Sequence, residues 1–186
     1  MHHSNIFVLG AVALLLIPGS LIAQRNVESG SPDPAPSVLM TLNAEEALEL
    51  ANRWGMQGVG VTSFVTPQAV RFSFADETTV SVPLPEDQMV VAIAPYVNST
   101  HRCEIHYMSG CRGELPAVPV RIIATTSRGE TVIDDTRHTL PNGFLELWLP
   151  RGQRIEVRIE ALGRSHTGEI TTFSNSNTCV TTFRLK

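Results

Sequence analysis

Arg154-Ile155-Glu156-Val157-Arg158-Ile159-Glu160-Ala161 alternates charged and apolar side chains without a break. A strand turns successive side chains to opposite faces, so Ile155, Val157 and Ile159 form a buried face and Glu156, Arg158 and Glu160 a wetted one. Turn signals lie on either side, at Ser127-Arg128-Gly129, Pro141-Asn142-Gly143, Pro150-Arg151-Gly152 and Leu162-Gly163. Between them, strands are expected over 88–96, 118–125, 131–133, 143–149, 154–162, 169–173 and 179–185. Short strands at this spacing predict a β-sandwich-like domain over 86–186.

Upstream the pattern changes. Asn43 followed by Glu46 is a capping-box start, with Leu42 placed to staple onto Ala47. Ala47, Leu48, Ala51 and Trp54 recur at helical spacing, and Gly55 is expected to stop the helix after about three turns. Strands follow over 59–65, 69–74 and 78–82, with turns at Pro67-Gln68 and Ala75-Asp76-Glu77. These elements make a small α+β unit over 42–85, ending at the Pro83-Leu84-Pro85-Glu86-Asp87 stretch. The fold class is therefore α+β, mainly β. Residues 24–41 are rich in Ser and Pro and read as a tether. Residues 1–23 carry no Asp, Glu, Lys or Arg, and hold an apolar run over 6–17, a Pro18-Gly19-Ser20 breaker and a closing Ala23. They read as a secretory signal peptide or an uncleaved N-terminal anchor, which implies export.

The 186 residues are 42% hydrophobic and 17% charged, enough apolar content to bury a core. Net charge is −4 and Lys186 is the only lysine, so there is no basic footprint for nucleic acid.

One segment departs from this plain background. His101-Arg102-Cys103-Glu104-Ile105-His106-Tyr107-Met108-Ser109-Gly110-Cys111 places two thiols, two imidazoles and a thioether close together, and the third cysteine is Cys179. Thiolates select Cu(I) or Zn over hard ions. Cys103, Cys111 and Cys179 are the candidate trigonal ligands, and His106, His101 and Met108 further donors. His106 is three residues from Cys103, which would put both on one side of a helical turn. Gly110 is expected to permit the tight backbone that returns Cys111 towards Cys103. Two other readings stand beside the metal site. One is a structural Cys103–Cys111 disulfide with Cys179 buried and inert, in an exported interaction module; the other is a thiol–disulfide redox protein. Cys-x7-Cys is not a standard zinc spacing and no CxxC pair is present.

The block Thr100-His101-x-Cys103-x-x-His106-x4-Cys111-x-Gly113-Glu114-Leu115, with Cys179 at the following distance, resembles the signature of the CueP family of periplasmic copper-binding proteins. The Trp54-Gly55-Met56, Asn142-Gly143-Phe144 and Leu147-Trp148-Leu149-Pro150 segments are similar to that family too, so the resemblance spans roughly 42–185. It implies a periplasmic protein that reduces Cu(II) and holds Cu(I) through Cys103, Cys111 and Cys179, with His101 and His106 as auxiliary ligands. It also implies copper tolerance, copper donation to a periplasmic superoxide dismutase, a disulfide reductase that keeps the thiols reduced, and a homodimer formed through the N-terminal unit. Such a protein is a binding module, not an enzyme.

Other residues carry less. His138 and His166 read as solvated side chains, and Met40, Met56 and Met89 as packing or linker residues. Glu104 and Glu114 read as surface carboxylates. Asn98-Ser99-Thr100 matches a glycosylation sequon, a frequent chance match. No orienting Asn or Asp can be assigned for a cysteine hydrolase.

Overall fold

In the computed structural model, which describes residues 35–186, the alternating stretch is strand β8, Arg154–Ala161, with every second residue buried. It lies in a four-stranded antiparallel sheet of order β6-β5-β8-β9, with β5 over Pro119–Thr126, β6 over Thr131–His138 and β9 over Arg164–Thr171. A second sheet has the order β10-β4-β7, from Cys179–Val180, Gln88–Ile93 and Leu145–Pro150. The two sheets share one core. Met89, Val91 and Ile93 of β4 and Leu145, Leu147 and Leu149 of β7 meet Val120, Ile122, Ile155, Val157 and Ile159. Each such side chain contributes about 1.5–3 kcal/mol on burial. This is the sandwich that the alternation predicts.

β4 is buried on both faces, which its unbroken apolar run requires. Its second face carries Val90, which packs with Trp148 of β7 into another core. That core is closed by helix α2 (Ala44–Gln57) and a three-stranded antiparallel sheet of β1 (Thr62–Val65), β2 (Ala69–Ser73) and β3 (Thr79–Pro83). The α2 capping box forms as read: Asn43 Oδ1 accepts from the Glu46 N–H at 3.0 Å, and Glu46 Oε2 from the Asn43 N–H at 2.9 Å. Trp54 meets Phe72 edge-on, with centroids 5.9 Å apart.

Three expectations need correction. Gly55 does not stop α2. The left-handed cap is Gly58, at φ 66°, and Gly55 sits mid-helix because the Met108 and Ser109 backbone lies against it. The end of the Ser/Pro-rich stretch is packed, not a tether: Pro36–Leu39 forms a short helix, α1, and Leu39 is fully buried. The last strand is short. Only Cys179–Val180 pairs with β4, in parallel, and the apolar pattern beyond it comes from Phe183 and Leu185 filling the sandwich core. The signal or anchor reading at 1–23, and the tether over 24–34, lie outside the described residues. No helix among the described residues is long and apolar enough to cross a membrane.

Candidate metal centre

The second face of β4 builds the centre. Side chains on a strand alternate, so Val90 and Ala92 share the face opposite the sandwich core. Ala92 pairs with Cys179 of β10 on one side and with Glu146 of β7 on the other. Residues directly opposite across a ladder point the same way. Cys179, Ala92 and Glu146 therefore form one row, and the small alanine between the two functional side chains leaves that face open. Ala92, Ala94, Phe144, Cys111 and Cys179 pack into a small cluster of their own, with Cys103 against it.

The loop between β4 and β5 brings in the other donors. The His106 carbonyl accepts from the Val65 N–H at 2.9 Å, and the His106 N–H donates to Thr178 Oγ1 at 3.1 Å. The Thr178 hydroxyl donates in turn to the Val65 carbonyl at 2.6 Å. The Thr178 and Cys179 N–H groups both donate to the Glu104 carbonyl, at 3.0 and 3.2 Å. These bonds knit the loop to β1 and β10. At the far end Gly113 and Gly143 touch backbone to backbone, and the Gly113 N–H donates to the Asn142 carbonyl at 2.6 Å.

No helical turn links Cys103 to His106. The tight return to Cys111 is a turn in which the Gly110 and Cys111 N–H groups both donate to the Tyr107 carbonyl, at 3.1 and 2.8 Å. Gly110 is not needed for it, because a Cβ there would meet only Tyr107 Cβ at 4.0 Å, an ordinary contact. Met108 is buried in the core under α2.

All three thiols are free. Cys103 and Cys111 Sγ lie 3.5 Å apart. The donor atoms of His106, Cys111 and Cys179, all buried, lie within 4.8 Å of one another. Those of His101, Cys103 and Cys111 do the same, with His101 exposed and Cys103 half-buried. The five donors thus form an outer and an inner triad sharing Cys111. His106 packs on Phe144 at a tilt of 43°, with centroids 4.6 Å apart.

The electrostatics separate the thiols. Cys111 is held well below the usual thiol range, chiefly by a hydrogen bond from Cys179 and, against the cost of burial, by His106 and the Tyr107 N–H. Cys179 is pushed up, first as donor to Cys111 and then by burial. Burial also raises Cys103. For His106 burial alone would lower the pKa, but the neighbouring Cys111 sulfur and the Glu146 carboxylate outweigh it and the net shift is upward.

Sequence reasoning missed Glu146. Its Oε1 lies 3.0 Å from His106 Nε2, and its side chain is only 10% exposed. The signal was present: Leu145, Leu147 and Leu149 face one way, so Glu146 and Trp148 face the other, and an inward Trp marks a second buried face. His106 Nδ1 is buried with no hydrogen-bond partner. A buried imidazole nitrogen without a partner is costly unless something binds it. In a group with the Cys111 and Cys179 sulfurs, His106 fits a soft metal ion. His138 and His166 join no donor group; His166 packs on Phe183 and contacts the Arg184 carbonyl.

A family model described as periplasmic copper-binding protein CueP matches residues 48–184. The crystal structure of S.CueP matches with a TM-score of 0.74 and 26% identity, over 81% of this chain and 92% of that one. No curated protein matches. The matched span contains all three cysteines, both loop histidines, Glu146 and most of both cores, and this chain belongs to the CueP family of periplasmic copper-binding proteins.

Proposed function

We propose that the chain reduces Cu(II) and holds Cu(I) through Cys103, Cys111 and Cys179, with His106 as a fourth donor and His101 at the mouth. The observation that carries this reading is convergence. Donors separated widely in sequence meet in one cluster, and His106, whose Nδ1 is buried without a hydrogen-bond partner, is among them. Thiolates are both soft ligands and electron donors. When two thiols join in an S–S bond they release two protons and two electrons, which turn two Cu(II) into two Cu(I). Cys103 and Cys111, 3.5 Å apart, are the pair placed to do so. Oxidation removes ligands, so a periplasmic disulfide reductase must restore them. The half-buried Cys103 and exposed His101 give copper a way out towards an acceptor such as superoxide dismutase. The chain would then act as a binding and delivery module without turnover of its own, and a homodimer is part of the same proposal.

The test is anaerobic titration of the reduced protein with Cu(I) against a competing chelator, beside Cys179→Ser. One tight equivalent is expected in the wild type and none in the variant. Binding indifferent to Cys179, or equal in oxidised and reduced protein, would favour a module stabilised by a Cys103–Cys111 disulfide. His106 with three sulfurs is also a four-donor set of the kind zinc takes. The same titration with Zn(II) reads the choice of metal.

A further inference from the structure

His106 has two ring nitrogens in different situations. Nε2 faces Glu146 Oε1 at 3.0 Å, and Nδ1 is buried without a partner. A carboxylate only accepts hydrogen bonds, so the nitrogen facing it carries the proton. The other nitrogen has no hydrogen-bond partner, and a metal displacing any proton held there would take its lone pair.

Glu146 is itself held. Asn52 of α2 reaches across to β7 and places its Nδ2 group 3.0 and 2.9 Å from the two Glu146 oxygens. The orientation of that amide is set on both sides. Its Nδ2 also donates to the Leu48 carbonyl at 3.2 Å, and its Oδ1 accepts from Asn142 Nδ2 at 3.4 Å. Asn142 in turn accepts at Oδ1 from the Phe144 N–H at 3.1 Å, and Phe144 is the ring against which His106 packs. The chain Asn142–Asn52–Glu146–His106 therefore fixes the imidazole by its edge, and Phe144 fixes it by its face.

We propose that Glu146, clamped by Asn52, is a positioning residue that commits His106 to present Nδ1 to copper beside Cys111 and Cys179. This rests on the reading of His106 as a copper ligand. Partners of this kind behind a ligating histidine set its tautomer and ring orientation, and their loss costs about 10–100-fold in metal affinity. Neither Glu146 nor Asn52 touches the metal. They act through His106 alone.

The experiment measures Cu(I) affinity of the reduced protein by chelator competition in wild type, Glu146→Leu, Glu146→Gln, His106→Ala and the His106→Ala/Glu146→Leu double variant. Glu146→Leu is expected to weaken binding about 10–100-fold. Glu146→Gln keeps an acceptor for the Nε2 proton and should recover most of that loss. In the His106→Ala background Glu146→Leu should cost nothing further, because the histidine it positions is gone. Imidazole nitrogen NMR of the Cu(I)-loaded protein should show His106 bound through Nδ1 and protonated at Nε2, with that signature lost in Glu146→Leu. Should Glu146→Leu not fold, Asn52→Ala enters the same cycle. Loss on His106→Ala with none on Glu146→Leu overturns the proposal and leaves the ligand reading standing. So does a Glu146→Leu loss that persists undiminished without His106, which would make Glu146 a packing residue. Wild-type binding by His106→Ala removes the ligand reading itself, and the proposal with it.

Discussion

Glu114 joins the two ends of the loop that carries the cysteines. Its Oε2 accepts from the Val97 N–H at 2.6 Å and the Asn98 N–H at 3.0 Å, and its Oε1 from Asn98 Nδ2 at 2.9 Å. The Asn98 and Val97 backbone donors hold its carboxyl down from 4.5 to about 2. A depressed folded-state value stabilises the fold above the unfolded pKa and is lost as pH falls through the folded one. The contribution is therefore complete above pH 4.5 and disappears on acidification towards about pH 2. Because the residue is only half-buried, solvent screening keeps the effect modest. Melting temperature against pH checks it: Glu114→Gln should melt lower than wild type near neutrality, and the gap should close across that acid window. Parallel curves would show that the carboxylate contributes nothing. The sequence reads Glu114 as a surface carboxylate; the structure has it half-buried and bonded to the Val97 and Asn98 backbone. Its partners are hidden because they lie 16 and 17 positions away. The capping box on α2 was legible for the opposite reason, since both of its bonds span three residues.

At the scale of elements, α2 positions the loop by contact. A Cβ on Gly55 would run into the Met108 carbonyl oxygen and approach the Ser109 Cα at 3.1 Å. Alanine in a helix interior gains about 1 kcal/mol over glycine. Overpacking against a backbone that no rotamer can move costs roughly 1–3 kcal/mol. The cost is expected to win, so Gly55→Ala should lower unfolding stability by up to about 2 kcal/mol in denaturant melts. Weaker Cu(I) binding should accompany it, because the displaced segment runs straight into Cys111. An unchanged or raised stability would show that the loop gives way freely. Glycine reads from sequence first as a helix stop; only the three-dimensional neighbour shows it as a close approach. Edge strands were under-read for a related reason. β6 and β9 form the two edges of their sheet, and their outward residues, Asp134, Asp135, Arg164 and Glu169 among them, hide the alternation. Central β5 and β8 alternate cleanly and were legible almost to the residue.

The described residues form three layers sharing β4, with the donor cluster at the seam between the middle sheet and the helix-and-hairpin layer. The loop supplies His106 and Cys111, β7 supplies Glu146, and β10 supplies Cys179. β10 is the weakest of these attachments, two residues in parallel pairing with β4. It is held beyond that by the loop, through the Thr178 and Cys179 bonds to the Glu104 carbonyl, and by Phe183 and Leu185 in the core. A metal bridging Cys179 to Cys111 would tie the C-terminal segment to the loop at one point and both to the centre of the fold. Ligand that binds only the folded state stabilises it by about 2.7 kcal/mol at a hundredfold excess over Kd. For a chain of this length that is worth roughly 5–10 °C in Tm. Cu(I) should therefore raise Tm of the reduced protein by that order, and Cys179→Ser should abolish most of the rise. Hydrogen exchange locates the effect. Amides of Cys179 and Val180 and of the loop over 103–111 should slow on loading more than those of β5 and β8, which are already central to the sandwich core. A Tm rise with protection spread evenly through the sandwich would mean that copper binds elsewhere. A rise confined to the loop and absent from β10 would remove Cys179 from the ligand set and leave a site built on His101, Cys103 and Cys111 alone.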